Sequence, residues 1–299
     1  MDIIIIELPN GEYHSSSFHV RFSSKQVLTS ENVDVLIYIN NKKTEMKMKL
    51  AKSGDAYFII NNKKNIRKNY SLFPDEEQIK KLELYEGINS ISFAIETFLG
   101  GIQILKSNLF FWKYDPNLKF ILWDIDGTIT KSDILGVILP RLGFNWNHEN
   151  VIEFINKLYN NNYKIIYLTA RAIFQSEATH DFLYNLSQNN KKLPKGPIIM
   201  DPDGAFSSFK KGIIQKQQYL IKILSLLEIK NLFNDNEQHF FAGFGNKETD
   251  AIAYRYLGIE LNKIFIINSS SNITQLNEKN KTNYDELCKN CDVFFPKII

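Results

Sequence analysis

The sequence predicts a protein of two domains, a mostly antiparallel β-sandwich followed by an α/β domain with a parallel sheet. The length of 299 residues suits about two domains of ordinary size. Residues 1–115 consist of short alternating segments separated by turn residues, which is typical of a sandwich. Residues 116–299 instead alternate buried strands with helical patterns, which is typical of parallel βαβ units. The domain boundary is therefore predicted between residues 115 and 116.

The composition is that of an ordinary globular protein, with 44% hydrophobic and 23% charged residues. The formal net charge of +3 argues against a dedicated nucleic-acid binder, but it permits a local basic face towards an anionic lipid or phosphate. Two cysteines cannot form a disulfide framework, so the expected compartment is reducing. No apolar run reaches the roughly 18 residues of a spanning helix, and no signal peptide is evident. We therefore expect a protein that is soluble or contacts a membrane only peripherally.

Alternation of apolar and polar residues predicts the strands of the amino-terminal domain. A polar linker is predicted over residues 61–74. The predicted strands cover residues 3–7, 18–22, 33–39, 45–50, 56–60, 87–95 and 102–112.

The second domain is predicted from buried strands that alternate with helices. The strands cover residues 119–124, 163–168, 197–200, 239–243 and 263–267. The helices cover residues 151–159, 176–187, 209–233, 250–256 and 283–291. Such units are right-handed, and they place ligands outside the carboxyl ends of the strands.

The first parallel strand ends in two carboxylates, Asp124 and Asp126, which Gly127 and Thr128 follow. Gly127 permits a close turn with free backbone N–H groups, and Thr128 can fix that turn by a hydrogen bond. Like charges at this spacing are costly unless a cation separates them or one is protonated, and Mg²⁺ is a suitable hard cation. One carboxylate could then attack phosphorus while the other protonates the leaving oxygen. Taken alone, a solvated loop explains two such acids equally well.

Polar residues also follow the other predicted strands. Thr169, Ala170 and Arg171 end the second strand, and their hydroxyl and guanidinium groups suit phosphoryl oxygens. Asn246 follows the fourth strand and offers an amide oxygen to a metal ion. Asp250 opens the next helix, where interaction with the helix dipole explains an acid as well as a catalytic role does.

A lysine before the fourth strand could neutralise both the nucleophilic carboxylate and the phosphoryl group. Lys222 is the first candidate, Lys210 and Lys216 are rivals, and a solvated lysine on a helix face is the alternative. Asp201 and Asp203 could form a second cation site, although a solvated turn explains them better.

These motifs, in this order, resemble the haloacid dehalogenase superfamily of phosphatases. The segment from Trp123 to Asp133 looks like the catalytic motif of the lipins, the Mg²⁺-dependent phosphatidate phosphatases, and so do the segments 193–197 and 242–246. Residues 2–58 resemble the amino-terminal conserved region of lipins, and residues from 76 onward resemble the carboxyl-terminal one. The resemblance thus covers nearly the whole chain.

The resemblance implies hydrolysis of phosphatidate to diacylglycerol and phosphate through an aspartyl-phosphate intermediate. It implies that Asp124 is the nucleophile and Asp126 the acid and base, while Thr169 and Lys222 bind phosphate. It implies Mg²⁺ held by Asp124, the main chain of Asp126, and Asn246. The remaining residues expected around the substrate are Gly127, Thr128, Ala170 and Arg171. The implied fold is a Rossmann-like haloacid dehalogenase domain beside an immunoglobulin-like sandwich.

The implied partner is phosphatidate in an anionic membrane, with no nucleic acid and no transmembrane segment. The resemblance also implies a cytoplasmic protein that associates peripherally with the endoplasmic reticulum or the nuclear membrane. Many lipins begin with an amphipathic helix, but here a strand follows Met1-Asp2 directly. Membrane attraction is therefore expected to depend on basic groups such as Arg141 and Arg171.

Two alternatives stay open at this point. One is a phosphatase of the same fold that acts on a soluble phosphate ester. The other is a lipid-surface scaffold or transcriptional partner without turnover, for which the LxxIL pattern of Leu135–Leu139 is the sequence feature. Packing of a helix onto the core explains that pattern better.

Overall fold

The computed structural model describes residues 1–22, 33–60, 69–97, 100–131, 147–202, 215–233, 237–278 and 280–299. The pattern at Leu135–Leu139 and the residues Arg141, Asp203 and Lys210 lie outside these ranges, and so does the side chain of Lys216. The chain divides into two compact units. The first contains Met1–Tyr114 with Ile173–Glu177, and the second contains Asp115–Ala172 with Ala178–Ile299.

The first unit forms a hydrogen-bonded ladder whose strands run in the order β2-β1-β8-β7-β3-β4-β5-β6 within the described residues. Its elements are β1 (Ile3–Glu7), β2 (Tyr13–Ser15), β3 (Asp34–Ile39), β4 (Lys42–Leu50), β5 (Ala56–Ile60), β6 (Asn69–Ser71), α1 (Glu76–Lys80), β7 (Gly87–Glu96) and β8 (Ile102–Lys113). The neighbours pair antiparallel except β1 and β8, which are parallel.

Alternate residues of these strands share one hydrophobic core. In β3, burial alternates with a period of two, and Val35, Ile37 and Ile39 face inward. Ile5 on β1 and Phe58 on β5 belong to the same buried cluster, although their strands lie far apart in the ladder. The ladder therefore curves so that distant strands enclose common apolar side chains.

Two predictions for this unit are wrong in detail. Residues 18–22 are not a strand; apart from single main-chain hydrogen bonds, their pairing is one bridge between Arg21 and Asp55. The predicted linker contains β6, which pairs with β5. The helix α1 was also missed, although Asp75 and Gln78 form a capping box that marks its start.

The second unit is an α/β structure with a sheet in the order β13-β10-β9-β14-β15-β16-β17. Its strands are β9 (Phe120–Asp124), β10 (Lys164–Ala172), β13 (Ile198–Asp201), β14 (Phe240–Gly245), β15 (Ile264–Ile267), β16 (Ile273–Gln275) and β17 (Lys281–Thr282), and β11 (Ser187–Gln188) and β12 (Lys191–Lys192) form a separate hairpin. Its helices are α2 (Val151–Asn160), α3 (Ser176–Asn185), α4 (Gln215–Lys230), α5 (Glu248–Tyr256), α6 (Tyr284–Lys289) and α7 (Cys291–Phe294).

The five strands predicted for this sheet are present and pair in parallel, whereas β16 and β17 add an antiparallel edge that was not predicted. The predicted last helix is divided at Asn290 into α6 and α7. The chain leaves β9 towards β10 on one side, and β14 lies on the other side. The carboxyl end of β9 is therefore the switch point where such sheets bind ligands.

Stacked aromatic rings pack against the central strands beneath this edge. Trp123 stacks on Phe244 with ring centroids 4.0 Å apart, and Phe244 stacks on Phe265 at 4.5 Å. All three side chains are buried, and each contributes on the order of 1.5–3 kcal/mol through burial. This packing fixes β9, β14 and β15 relative to one another. No helix in the described ranges is both long enough and apolar enough to cross a membrane.

Candidate active site

Three adjacent strands end together at the carboxyl edge of the sheet. Asp124 pairs in register with Leu168 of β10, and Trp123 pairs with Phe244 of β14. Thr169 therefore follows the residue that pairs with Asp124, and Asn246 follows the end of β14. Asp124 is 5% and Asp126 is 6% exposed, so both carboxylates are withdrawn from bulk solvent.

Residues 124–130 form a tight reversal after β9, which is called the catalytic turn after the role predicted for it. Gly127 has a φ of +84°, which a residue with a side chain rarely adopts. The Gly127 N–H donates to the Thr130 hydroxyl at 3.1 Å, and the Ile129 N–H donates to the Ile125 carbonyl at 3.0 Å. The Thr128 hydroxyl donates to Asp124 Oδ2 at 3.3 Å. Gly127 and Thr128 thus shape the turn and orient Asp124.

Lys222 on α4 lies between two carboxylates. Its Nζ donates to Asp124 Oδ1 at 2.6 Å and also to Asp250 Oδ1. Burial disfavours the charged amine, yet the attraction of Asp124 and Asp250 outweighs this effect, so the pKa of Lys222 is raised. Lys222 is therefore a cation in contact with Asp124, and its binding to phosphate stays a prediction.

Burial also acts on Asp124 itself. It raises the pKa of the Asp124 carboxyl to about 7; Lys222 opposes this rise, and the neighbouring Asp250 and Asp126 add to it. The ionised form of Asp124 is thus held in a site that resists negative charge. An added cation would relieve that cost.

Thr169 and Arg171 contact Asp126. The Thr169 hydroxyl donates to Asp126 Oδ2 at 2.8 Å, and Arg171 Nη2 donates to Asp126 Oδ1 at 2.7 Å. The Arg171 guanidinium also lies over the Phe182 ring, 4.9 Å from its centroid. Both side chains predicted to meet phosphate therefore have a carboxylate partner that sequence reasoning did not assign to them. Ala170 and Thr169 line a small cavity that Lys222 also lines.

Asp250 performs two tasks at the start of α5. Its Oδ2 accepts hydrogen bonds from the main-chain N–H groups of Asn246 and Lys247, both at 3.0 Å, while Oδ1 accepts from Lys222. Asp250 thus lies at the start of the helix as predicted, but neither its hydrogen bonds to the main chain nor its contact with Lys222 was predicted. A Cβ on Gly245 would lie 2.4 Å from Asp250 Cβ, so only glycine lets the two elements approach this closely.

The five side chains Asp124, Asp126, Asp250, Lys222 and Arg171 form a buried charged cluster. Three carboxylates against two cations leave a surplus negative charge when all are ionised. In the described part of the chain, no three His, Cys, Asp or Glu side chains are grouped to hold a metal ion. A divalent ion here would therefore require main-chain or amide oxygens in addition to carboxylates, and the predicted set, with the Asp126 main chain and Asn246, includes both.

Two family models match the chain. The model described as LNS2 (Lipin/Ned1/Smp2) matches residues 70–296, and the lipin N-terminal conserved region matches residues 1–74. The chain belongs to the lipin family. The resemblance that was inferred from the catalytic motif is thereby confirmed. Strands β7 and β8 fall in the LNS2 match, yet they pair with β3 and β1 of the amino-terminal match, so both lipin regions contribute to one ladder.

The curated relatives include phosphatidate phosphatases of animals, plants and fungi. Human phosphatidate phosphatase LPIN3 is 37% identical over 229 residues, which cover 76% of this chain and 27% of LPIN3. Phosphatidate phosphatase PAH1 of Arabidopsis thaliana is 40% identical over 200 residues, which cover 67% of this chain and 22% of PAH1. Phosphatidic acid phosphohydrolase 1 of Saccharomyces cerevisiae is 36% identical over 263 residues, which cover 84% of this chain and 30% of the yeast protein. The chain thus spans about a quarter of the length of these lipins.

Proposed function

We propose that this chain is a Mg²⁺-dependent phosphatidate phosphatase that releases diacylglycerol and phosphate through an aspartyl-phosphate at Asp124. The observation that carries the proposal is the pair of buried carboxylates at the switch point of a lipin-family sheet. Each carboxylate is bound to a cation: Asp126 binds Arg171, and Asp124 binds Lys222, which also binds Asp250. A scaffold without turnover has no use for such an arrangement, because buried ion pairs contribute little net stability.

In the first half of the proposed reaction, an Asp124 oxygen attacks phosphorus. Lys222 and Thr128 hold the two Asp124 oxygens and thereby aim the carboxylate. The P–O bond to the diacylglycerol oxygen breaks, and that oxygen takes a proton from Asp126. Lys222 stays beside the reacting group and balances its negative charge.

In the second half, Asp126 acts in the reverse sense. It removes a proton from a water molecule, whose oxygen attacks phosphorus, and the bond from phosphorus to Asp124 breaks to release phosphate. Arg171 and Thr169 hold Asp126 before the substrate arrives. We expect Arg171 to move from Asp126 to the phosphoryl oxygens when the substrate binds, which frees a carboxyl oxygen to carry the proton.

The residues at the site fit a magnesium ion. Asp124, the main-chain carbonyl of Asp126, and the Asn246 amide oxygen would hold it, and all three are the hard oxygen ligands that Mg²⁺ prefers. Bound Mg²⁺ would polarise the phosphoryl group and compensate the surplus negative charge of the cluster. The Gly127 N–H points to Thr130, so the planar peptide turns the Asp126 carbonyl away from Thr130.

The proposal extends to the fold and location of the chain. We infer that the first unit is an immunoglobulin-like sandwich, supported by the single core that strands from both halves of the ladder enclose. We place the domain boundary at residues 115 and 116. The expected location is cytoplasmic, with peripheral association at the endoplasmic reticulum or nuclear membrane.

The experiment that tests the substrate compares rates of phosphate release. Phosphatidate in mixed micelles is expected to be hydrolysed faster, by at least about 100-fold in kcat/KM, than glycerol 3-phosphate, which carries the same phosphate ester without acyl chains. Equal or faster hydrolysis of the soluble ester would favour a phosphatase for soluble substrates.

Magnesium is expected to stabilise the protein against unfolding. Binding to the folded state alone adds about 2.7 kcal/mol when the free ion is at 100 times its dissociation constant. The melting temperature should therefore rise with Mg²⁺ concentration, and this rise should disappear in the Asp124→Ala, Asn246→Ala double variant. Asp181→Ala, which removes an exposed acid on α3, is the control that should keep the rise. An undiminished rise in the double variant would place the cation elsewhere, with Asp201 the first residue to examine.

Of the two basic residues predicted to attract the membrane, Arg141 lies outside the described residues. The expectation for Arg171 is wrong, because its side chain is 8% exposed and bound to Asp126. Two exposed lysines flank the carboxyl edge instead: Lys131 follows the catalytic turn, and Lys247 follows Asn246. We propose that these lysines attract the anionic headgroups.

Binding to vesicles is accordingly expected to rise with phosphatidate content and to fall as salt increases from 0.05 M to 0.5 M, since salt screens exposed charges. The Lys131→Glu, Lys247→Glu variant should cosediment several-fold less. Lys164→Glu, which lies at the amino-terminal end of β10 and away from the carboxyl edge, should bind like the wild type. Equal binding of the wild type to neutral and anionic vesicles at every salt concentration would refute the electrostatic account.

A further inference from the structure

Two buried side chains from distant parts of the chain hold the main chain of the catalytic turn. His148 Nε2 lies 3.4 Å from the Gly127 carbonyl oxygen, and the Tyr284 hydroxyl donates to the Thr128 carbonyl at 2.9 Å. His148 is 21 residues and Tyr284 is 156 residues from the group that it contacts. Neither residue belongs to the set predicted from the sequence.

The hydrogen-bond partners of His148 define its tautomer. Burial lowers the pKa of His148, so the ring is neutral and carries one N–H. A carbonyl oxygen can only accept, which assigns the hydrogen to Nε2. Nδ1 then accepts from the Ser271 hydroxyl at 2.8 Å. The neighbouring main chain is fixed as well, because the main-chain N–H of His148 donates to the Ile129 carbonyl at 3.0 Å.

Tyr284 is a similarly constrained donor. Burial raises the pKa of Tyr284 well above its ordinary value, so the hydroxyl keeps its hydrogen. Its ring lies against Trp123 and His148, with centroids 6.1 Å from each. These contacts leave the hydroxyl directed at the Thr128 carbonyl.

Three successive peptide groups of the turn are therefore held by side chains other than the carboxylates of Asp124 and Asp126. Thr130 accepts from the Gly127 N–H, His148 binds the Gly127 carbonyl, and Tyr284 binds the Thr128 carbonyl. A planar peptide that is fixed at one end is fixed at the other. The Asp126 carbonyl is thus oriented through the contact of the Gly127 N–H with Thr130. His148 and Tyr284 fix the two peptide groups that follow, and with them Thr128, whose hydroxyl donates to Asp124.

We infer that His148 and Tyr284 are positioning residues for the phosphatase reaction, because they hold the catalytic turn from which Asp124 would attack phosphorus and from which the Asp126 carbonyl would bind Mg²⁺. This inference rests on the proposed function. It adds two residues, on the segment before α2 and at the start of α6, that act through the turn and do not touch the substrate.

The test removes one oxygen atom. Tyr284→Phe is expected to lower kcat about 10- to 100-fold while KM for phosphatidate changes less than about threefold, because the geometry of the turn is altered and the substrate contacts are not. The Mg²⁺ concentration at the midpoint of the rise in melting temperature should increase several-fold in the same variant. Tyr163→Phe is the matched control: Tyr163 is equally buried, and its hydroxyl donates to the Pro296 carbonyl at 3.0 Å. It should lose a similar amount of thermal stability and keep kcat within about twofold.

His148 is tested by rescue with a conservative side chain. His148→Gln can place an amide N–H near the position of Nε2, whereas His148→Met fills similar space without a donor. The Gln variant should retain at least about five times the kcat of the Met variant at comparable melting temperature. Equal kcat in both variants would mean that His148 only fills space.

Two results would overturn the inference. In the first, Tyr284→Phe has the same kcat and the same Mg²⁺ midpoint as Tyr163→Phe. In the second, the loss of kcat in Tyr284→Phe is fully explained by its loss of thermal stability. Failure of the proposed function is distinguishable from failure of the inference. If the wild type releases no phosphate from phosphatidate, the function is wrong, and the Mg²⁺ midpoint still reports whether Tyr284 positions the turn.

Discussion

Asp124→Asn is expected to abolish phosphate release from phosphatidate, with a fall on the order of 10⁴-fold or more in kcat, as for other enzymes that lose a covalent nucleophile. An amide in place of the Asp124 carboxylate cannot form the acyl-phosphate. The variant should be assayed in mixed micelles with Mg²⁺. Retention of wild-type activity would exclude covalent catalysis at Asp124.

The stability of this variant separates lost chemistry from lost structure. Burial raises the Asp124 pKa in the folded state above its unfolded value, so the folded wild type binds more protons than the unfolded chain between about pH 4 and pH 7. In the absence of metal, wild-type stability should therefore fall as pH rises through this window. Asp124→Asn lacks this decrease, and with a chelator at pH 8 it should melt no lower than the wild type. Lys222 keeps its partner Asp250 in the variant.

Asp126→Asn is expected to lower kcat on phosphatidate about 100-fold or more, the usual contribution of a general acid and base. The amide can keep both present contacts, with its oxygen facing Arg171 and its nitrogen facing the Thr169 oxygen. The variant should therefore fold normally, and the loss should report on proton transfer.

A substrate with a good leaving group provides the control for Asp126. The first half-reaction of p-nitrophenyl phosphate needs no protonation of the leaving oxygen. If breakdown of the phospho-enzyme is not limiting, Asp126→Asn should lose much less activity on this substrate than on phosphatidate. An equal loss on both substrates in a single-turnover measurement would assign Asp126 a role other than leaving-group protonation.

Local patterns were sufficient to predict the carboxylates and the sheet that presents them. Asp124 and Asp126 directly follow a buried strand, so their placement at the sheet edge depends on a few neighbouring residues. Lys222 was proposed because a cation is needed near the nucleophile, and the structure places its amine against Asp124. The parallel pairing of β1 with β8 was not predictable, because alternation marks a strand and does not identify its partner.

The interactions within the site depend on tertiary contacts that no local pattern encodes. Thr169 and Arg171 were expected at phosphate, yet they contact Asp126, more than 40 residues away in the chain. Asp250 was recognisable as an acid at the start of a helix, but its partner Lys222 lies on another helix. A single histidine and a single tyrosine, such as His148 and Tyr284, carry no spacing signal at all. One pattern could have identified Asp250 from the sequence. A glycine at the end of a strand, Gly245, precedes an acid in the first turn of the next helix, Asp250.

The central claim is most directly tested by measuring diacylglycerol and phosphate release from phosphatidate in mixed micelles by the purified chain, with Mg²⁺ and with a chelator, beside Asp124→Asn. We expect equimolar products that require Mg²⁺ and are absent with the variant. No release by the folded wild type in Mg²⁺, or equal release by Asp124→Asn, would contradict the account.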